Sequence, residues 1–160
     1  MKPITSGLLL AAFVLLGVLV ILSRPGGVAP TPAAFDQGTT LSDAVARSES
    51  EGKPVLVLAT ADWCPPCQTL KRETLADSRV GAFIDEHMIA VNLEDASNSN
   101  EIMGLGVTAY PTTIVLRGGT EVARSTGFSK PDAFLEFLNT AGGVASGADA
   151  PVVRRFSPED

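Results

Sequence analysis

The chain has 160 residues, eighteen acidic against twelve basic, and a formal net charge of −6. That length suits one domain with extensions, and the acidic balance excludes a nucleic-acid role, which needs a clustered basic face. A single histidine rules out a two-histidine metal site within one chain, and two cysteines are too few for a disulfide-stapled miniprotein.

Residues 4–22, ITSGLLLAAFVLLGVLVIL, carry no charge over nineteen positions. As a helix they would reach about 28 Å, close to the thickness of a bilayer's hydrocarbon core. Lys2 and the terminal amine precede them, the pattern that opens both signal peptides and signal anchors. The apolar core is long, and the following SRPGGVAPTPAAF is proline-rich where a peptidase would cut. An uncleaved anchor over residues 1–23 is therefore expected, with a cleaved signal peptide or a buried core helix as alternatives. Residues 24–38 contain Pro25, Gly26, Gly27, Pro30 and Pro32 and read as a semi-extended tether. The tail 142–160 lacks apolar periodicity and reads as disordered. One compact domain over residues 39–141 remains.

Its pattern alternates. TLSDAVARSE, after a threonine cap, reads as a helix ending at Gly52. Val55–Ala59 is a continuous apolar run, suited to a strand covered on both faces. A helix should follow the cysteine pair, and another should begin near Asp77 or Ser78 with Val80, Phe83 and Ile84 at helical spacing. Met88–Leu93 reads as a second buried strand, Asn100–Leu105 as a short helix and Thr112–Leu116 as a third strand. Arg117-Gly118-Gly119-Thr120 is a hairpin turn into Glu121–Ser125. Ser129, three before Asp132, should cap a last helix carrying Phe134, Leu135, Phe137 and Leu138. This order predicts an α/β fold, a central mixed sheet with helices on both faces.

Both cysteines lie in ADWCPPCQTLKRE, residues 61–73. Residues three apart on a helical turn lie on one face, about 5 to 6 Å apart, within the range a disulfide accepts. Proline disfavours helical dihedrals in the residue before it, so Cys64 should sit just outside the helix. Pro65 and Pro66 are tolerated in a first turn, whose N–H groups have no intrahelical partner. A thiolate there gains from the helix dipole and from free amides such as that of Cys67. Cys64, nearer the exposed end, should be the acidic nucleophile and Cys67 the resolving thiol. Two prolines leave few donors around Cys64, which argues for a moderate acidity and for a reductant rather than a strong oxidant. Half a zinc site needs two further ligands that the chain does not offer. A purely structural bridge over so short a loop would constrain little of the unfolded chain.

Trp63-Cys64-Pro65-Pro66-Cys67 after a buried strand, with Tyr110-Pro111-Thr112 opening a later one, resembles the thioredoxin superfamily over about residues 39–141. KPVLVLATADWCPPC, the Gly127-Phe128 step and the final helix are most similar to thioredoxin-like domains of bacterial membrane thiol:disulfide interchange proteins. The resemblance implies a thioredoxin-like fold and a thiol–disulfide oxidoreductase without a cofactor, facing the periplasm or another extracytoplasmic space. Cys64 would attack a target disulfide and Cys67 would resolve the mixed disulfide. Trp63 would wall the dithiol, or alternatively pack half-buried. Pro111 would be a cis-proline lying against the dithiol and offering backbone to a bound peptide, or a trans proline at a strand edge. Tyr110 would touch the substrate, or serve as a core aromatic. Implied partners are protein disulfides and a membrane or soluble thiol reductant. A binding or metal-delivery module without turnover is the alternative from another class.

The chain departs from that family at Leu58, where a buried acid is usual, and the partner lysine's place falls on Val91. Gln68 stands where a lysine is common and reads as a surface residue, as does His87. Asp62 and Glu73 remain as surface acids that could take the Cys67 proton through water.

Overall fold

The computed structural model describes residues 13–19, 27–35 and 38–143. Helix α1, Leu41–Glu51, starts where the Thr40 hydroxyl accepts the Asp43 N–H and ends at Gly52, whose φ of 70° suits a residue without a Cβ. Strand β1 follows, Val55–Thr60. Helix α2, Pro65–Thr69, runs on through a wider π turn, Leu70–Thr74, closed by the Leu75 N–H on the Leu70 carbonyl. Helix α3, Ser78–His87, is capped by the Asp77 carboxylate, and strand β2 is Ile89–Glu94.

Helix α4, Asp95–Gly104, is two helical pieces joined at a kink at Asn98, and the second piece contains the start of the short helix expected at 100–105. The piece before the kink, Asp95-Ala96-Ser97, has no apolar periodicity to betray it. The Asn98 side chain instead accepts the Glu94 N–H, and Asn98 itself leaves helical geometry (φ −124°, ψ 29°). Strands β3, Thr112–Arg117, and β4, Thr120–Thr126, form the expected hairpin. Helix α5 is Pro131–Gly142. Ser129 does not cap it: Lys130 occupies the cap position without a side-chain bond, Pro131 sits in the first turn, and the Ser129 carbonyl accepts the Thr74 hydroxyl.

The sheet order is β2-β1-β3-β4, with β1 parallel to β2 and antiparallel to β3. Alternation along β1 explains its unbroken apolar run. Leu56 and Leu58 face Leu70, Val80, Ile84, Phe134 and Leu138 on one side, while Val55, Val57 and Ala59 face Ala44 and Ile102 on the other. Val91 belongs to the second face and Leu58 to the first, so Val91 cannot occupy the place of a partner to position 58. Ala90 and Asn92 share the face of Leu58 by the same alternation.

Residues 27–35, within the segment read as a tether, are packed on the domain. Phe35 is 2% exposed inside the first core cluster and Ala29 is 4% exposed. Ala29 N–H donates to Gln68 Oε1 at 2.6 Å, and the Arg72 guanidinium donates to the Gly27 carbonyl. The packed unit thus begins before residue 39. Proline-rich sequence lacks periodicity, and its one large apolar anchor gives little warning of this.

Residues 13–19 of the long apolar run are helical, and among the described residues no helix is long and apolar enough to cross a membrane. The rest of the anchor expected over 1–23, and the tail from residue 144, lie outside the described residues.

Candidate functional site

Cys64 occupies the cap position of α2 in extended geometry (φ −91°, ψ 107°), and Pro65 and Pro66 open the helix. The rule that proline pushes its predecessor out of the helix is thereby met. Cys64 and Cys67 are joined in a disulfide with their Cα atoms 5.3 Å apart. The Cys67 N–H points at Cys64 Sγ at 3.3 Å, so the cap position that suits a side-chain oxygen holds sulfur here.

Cys64 is less accessible than the sequence suggests. In the disulfide it is 3% exposed and Cys67 is 0% exposed. Both pack against Ala61 and the edge of Tyr110. Cys64 is still the more exposed residue of the pair, and Pro65 and Pro66 beside it are exposed.

The Tyr110–Pro111 peptide is cis. Its position follows from the sheet: Thr112 pairs with Ala59 at the end of β1, which delivers residues 110–111 to the same sheet edge as the cysteine loop. The Pro111 carbonyl accepts the Gly127 N–H at 2.7 Å, a contact for which Gly127 adopts φ 96°. Trp63 is not half-buried but 71% exposed, and it stands edge-on to Tyr110 with ring centroids 5.9 Å apart. An exposed indole beside a disulfide offers a flat apolar platform.

Asp95 ties the two rings together. Its Oδ1 accepts the Tyr110 hydroxyl at 2.7 Å and its Oδ2 accepts the Trp63 Nε1–H at 3.3 Å. No sequence signal marks this residue, because its partners lie 15 and 32 positions away. Burial pushes the Tyr110 phenol up to about 12, and its hydrogen bond to Asp95 and the charges of Asp95 and Glu94 act in the same direction. An ordinary tyrosine titrates near about 10. The fold therefore favours the protonated phenol. Its contribution to stability is whole below about pH 10 and is lost as pH rises through about 12. Because the chain has one tyrosine, tyrosinate absorbance reads this group alone. A midpoint near 12 is expected in the folded chain, falling in Asp95→Asn as the negative acceptor is removed. A midpoint near about 10 with Asp95 present would contradict the bridge.

A second polar group lies beside the dithiol helix. Lys71, four residues past Cys67, has a side chain only 2% exposed; its Nζ lies 3.5 Å from Glu94 Oε2 and 4.0 Å from Asp62 Oδ1. The Thr60 hydroxyl donates to the same Glu94 oxygen at 2.8 Å, and Glu94 Oε1 is buried without a hydrogen-bond partner. A buried ammonium is tolerated only beside such a carboxylate. Asp62 and Glu73 are both exposed, as expected of surface acids, although Asp62 reaches the Lys71 ammonium from the rim. Gln68 is not a surface residue: it is 9% exposed and donates from Nε2 to the Asp62 carbonyl at 3.2 Å while holding Ala29.

Compared with known proteins, residues 36–118 match the thioredoxin-like family model. The chain is similar to the thiol:disulfide interchange protein DsbD of Ralstonia nicotianae, 28% identical over 110 residues, 66% of this chain and 18% of that protein. DsbD of Escherichia coli K12 is 34% identical over 96 residues, 56% of this chain and 17% of that protein. The match therefore spans under a fifth of these relatives. Among solved structures, DsbH oxidoreductase superposes with a TM-score of 0.62 at 18% identity, over 76% of this chain and 91% of the other. At that identity the likeness is one of fold.

Proposed function

This chain belongs to the thioredoxin-like family, and from that we propose that it is a membrane-tethered thiol–disulfide oxidoreductase that reduces protein disulfides on an extracytoplasmic face. The observation that carries this reading is the Cys64–Cys67 disulfide at the start of α2, beside the cis Tyr110–Pro111 loop. In the reduced chain, the Cys64 thiolate attacks a sulfur of the target disulfide. A bond forms between Cys64 and that sulfur, and the other target sulfur leaves as thiolate. Cys67 then gives up its proton and attacks Cys64 Sγ, restoring the internal disulfide and releasing the second target thiolate. The helix start and the Cys67 amide favour the anionic form of Cys64. Trp63, Tyr110 and Pro111 supply the surface on which the target's backbone lies, with Pro65 and Pro66 shaping the turn.

The names of the DsbD relatives support thiol–disulfide exchange, and the apolar run at 4–22 supports the tether. Each turnover leaves the dithiol oxidised, so a thiol reductant must return two electrons; a membrane or soluble donor serves equally. The test is insulin reduction by the full chain with dithiothreitol as electron source. Precipitation of the insulin B chain faster than with dithiothreitol alone is expected. Stoichiometric copper binding with no acceleration would instead favour a binding or metal-delivery module.

A further inference from the structure

The segment 27–35 does more than thicken the domain: its residues 27–29 reach the helix that follows the dithiol. Gln68 follows Cys67 directly and grips the segment through the Ala29 N–H at 2.6 Å, while its amide nitrogen donates to the Asp62 carbonyl in the cysteine loop at 3.2 Å. One side chain thereby links the segment to the turn that carries Cys64. Arg72, one turn further along, fastens Gly27 through its carbonyl. Between them opens a cleft of about 360 Å³, with Gly27 and Val28 on the segment's side and Trp63, Pro65 and Thr69 on the other. Val28 is 59% exposed and Trp63 71% exposed, although both are large and apolar.

We propose that this cleft is a side-chain subsite for the polypeptide being reduced, taking an aliphatic residue that flanks the target cysteine. The inference rests on the exchange reading above. A disulfide that reaches Cys64 must bring its chain over the surface around the cysteine turn, and Trp63 and Pro65 belong both to that turn and to the cleft wall. On one side the chain meets Tyr110 and the cis Pro111; on the other it runs into the cleft. Gln68 is committed to Ala29 and Asp62, while Arg72 gives one of its N–H groups to the Gly27 carbonyl. Val28, Pro65 and the Trp63 ring give the cleft an apolar wall that fits an aliphatic side chain, beside a polar wall of Asp62, Gln68, Thr69 and Arg72. Asp62, with a side chain 58% exposed, remains in contact with water at the rim.

The experiment uses the full chain as Cys67→Ser, which stops after the first exchange. Two short peptides each carry one cysteine as its mixed disulfide with thionitrobenzoate, and they differ only in having glycine or leucine on both sides of it. Cys64 forms a bond to the peptide sulfur and releases the coloured thionitrobenzoate anion, so the rate is read by absorbance. The leucine peptide is expected to react at least about fivefold faster, the gain from one partly buried aliphatic side chain. Val28→Arg, which puts a long charged chain in the mouth, should erase that advantage. Thr69→Trp, which fills the cleft from the helix side, should do the same. Equal rates for the two peptides, or a leucine advantage that survives both substitutions, overturns the subsite while leaving the exchange reading intact. If neither peptide reacts, exchange itself fails and the subsite falls with it.

Discussion

Cys64→Ser is expected to abolish catalysed insulin reduction, leaving only the rate of dithiothreitol alone. The step requires a nucleophile that is ionised near neutral pH and that forms a sulfur–sulfur bond, and a serine hydroxyl does neither. The substitution is informative because it spares the helix. Cys64 is the cap residue of α2 and its sulfur faces the Cys67 N–H at 3.3 Å. Serine is among the preferred residues at that position, and its oxygen accepts the same bond. The ring closed by the disulfide spans a sequence separation of three, and so short a loop adds little to the folded state's advantage. Unfolding midpoints of the reduced wild type and the variant should therefore nearly coincide. Insulin reduction persisting in Cys64→Ser would remove the dithiol from the mechanism.

Phe35→Ala is expected to destabilise the chain by about 3 to 5 kcal/mol. Phe35 is 2% exposed and packs with Leu56, Leu70, Phe134 and Leu138 in the first core cluster. Removing its ring leaves a cavity among side chains held by the sheet and by α5, which cannot collapse to fill it. Domains of this size have about 5 to 15 kcal/mol in total, so a loss on this scale is readily measured by denaturant titration followed by circular dichroism. A chain beginning at residue 39 should show a comparable deficit. A change under about 0.5 kcal/mol, as at an exposed position, would contradict the packing of residues 27–35 on the domain.

That result bears on how the sequence is read. The sheet was legible because β1 is a run so apolar that only a layer covered on both sides can hold it, and because β2 carries Ile89, Ala90, Val91 and Leu93. The dithiol was legible because Pro65 and Pro66 fix where the helix begins, and the Tyr110–Pro111 step because the motif resembles a known family. Phe35 was not legible, being one aromatic in a stretch of proline, glycine and alanine with no period to assign it to a face. Asp95 and Lys71 were hidden for another reason. Their roles arise from pairings across the fold, such as Asp95 with Trp63 and Lys71 with Glu94, and local spacing carries no trace of these. Gln68, standing where a lysine is common, reads as a surface residue from the sequence alone. Its burial comes with its bond to Ala29 of the docked segment 27–35, a contact 39 positions away.

The asymmetry between the two sulfurs is what the mechanism stands on, and alkylation of the reduced chain measures it. Iodoacetamide is applied across a pH series, and the modified cysteine is located by mass spectrometry. Cys64 is expected to react first, reaching half-maximal rate at a lower pH than an unperturbed thiol, while Cys67 stays protected until denaturant is added. Modification of Cys67 ahead of Cys64, or no modification of either in the folded chain, would contradict the account.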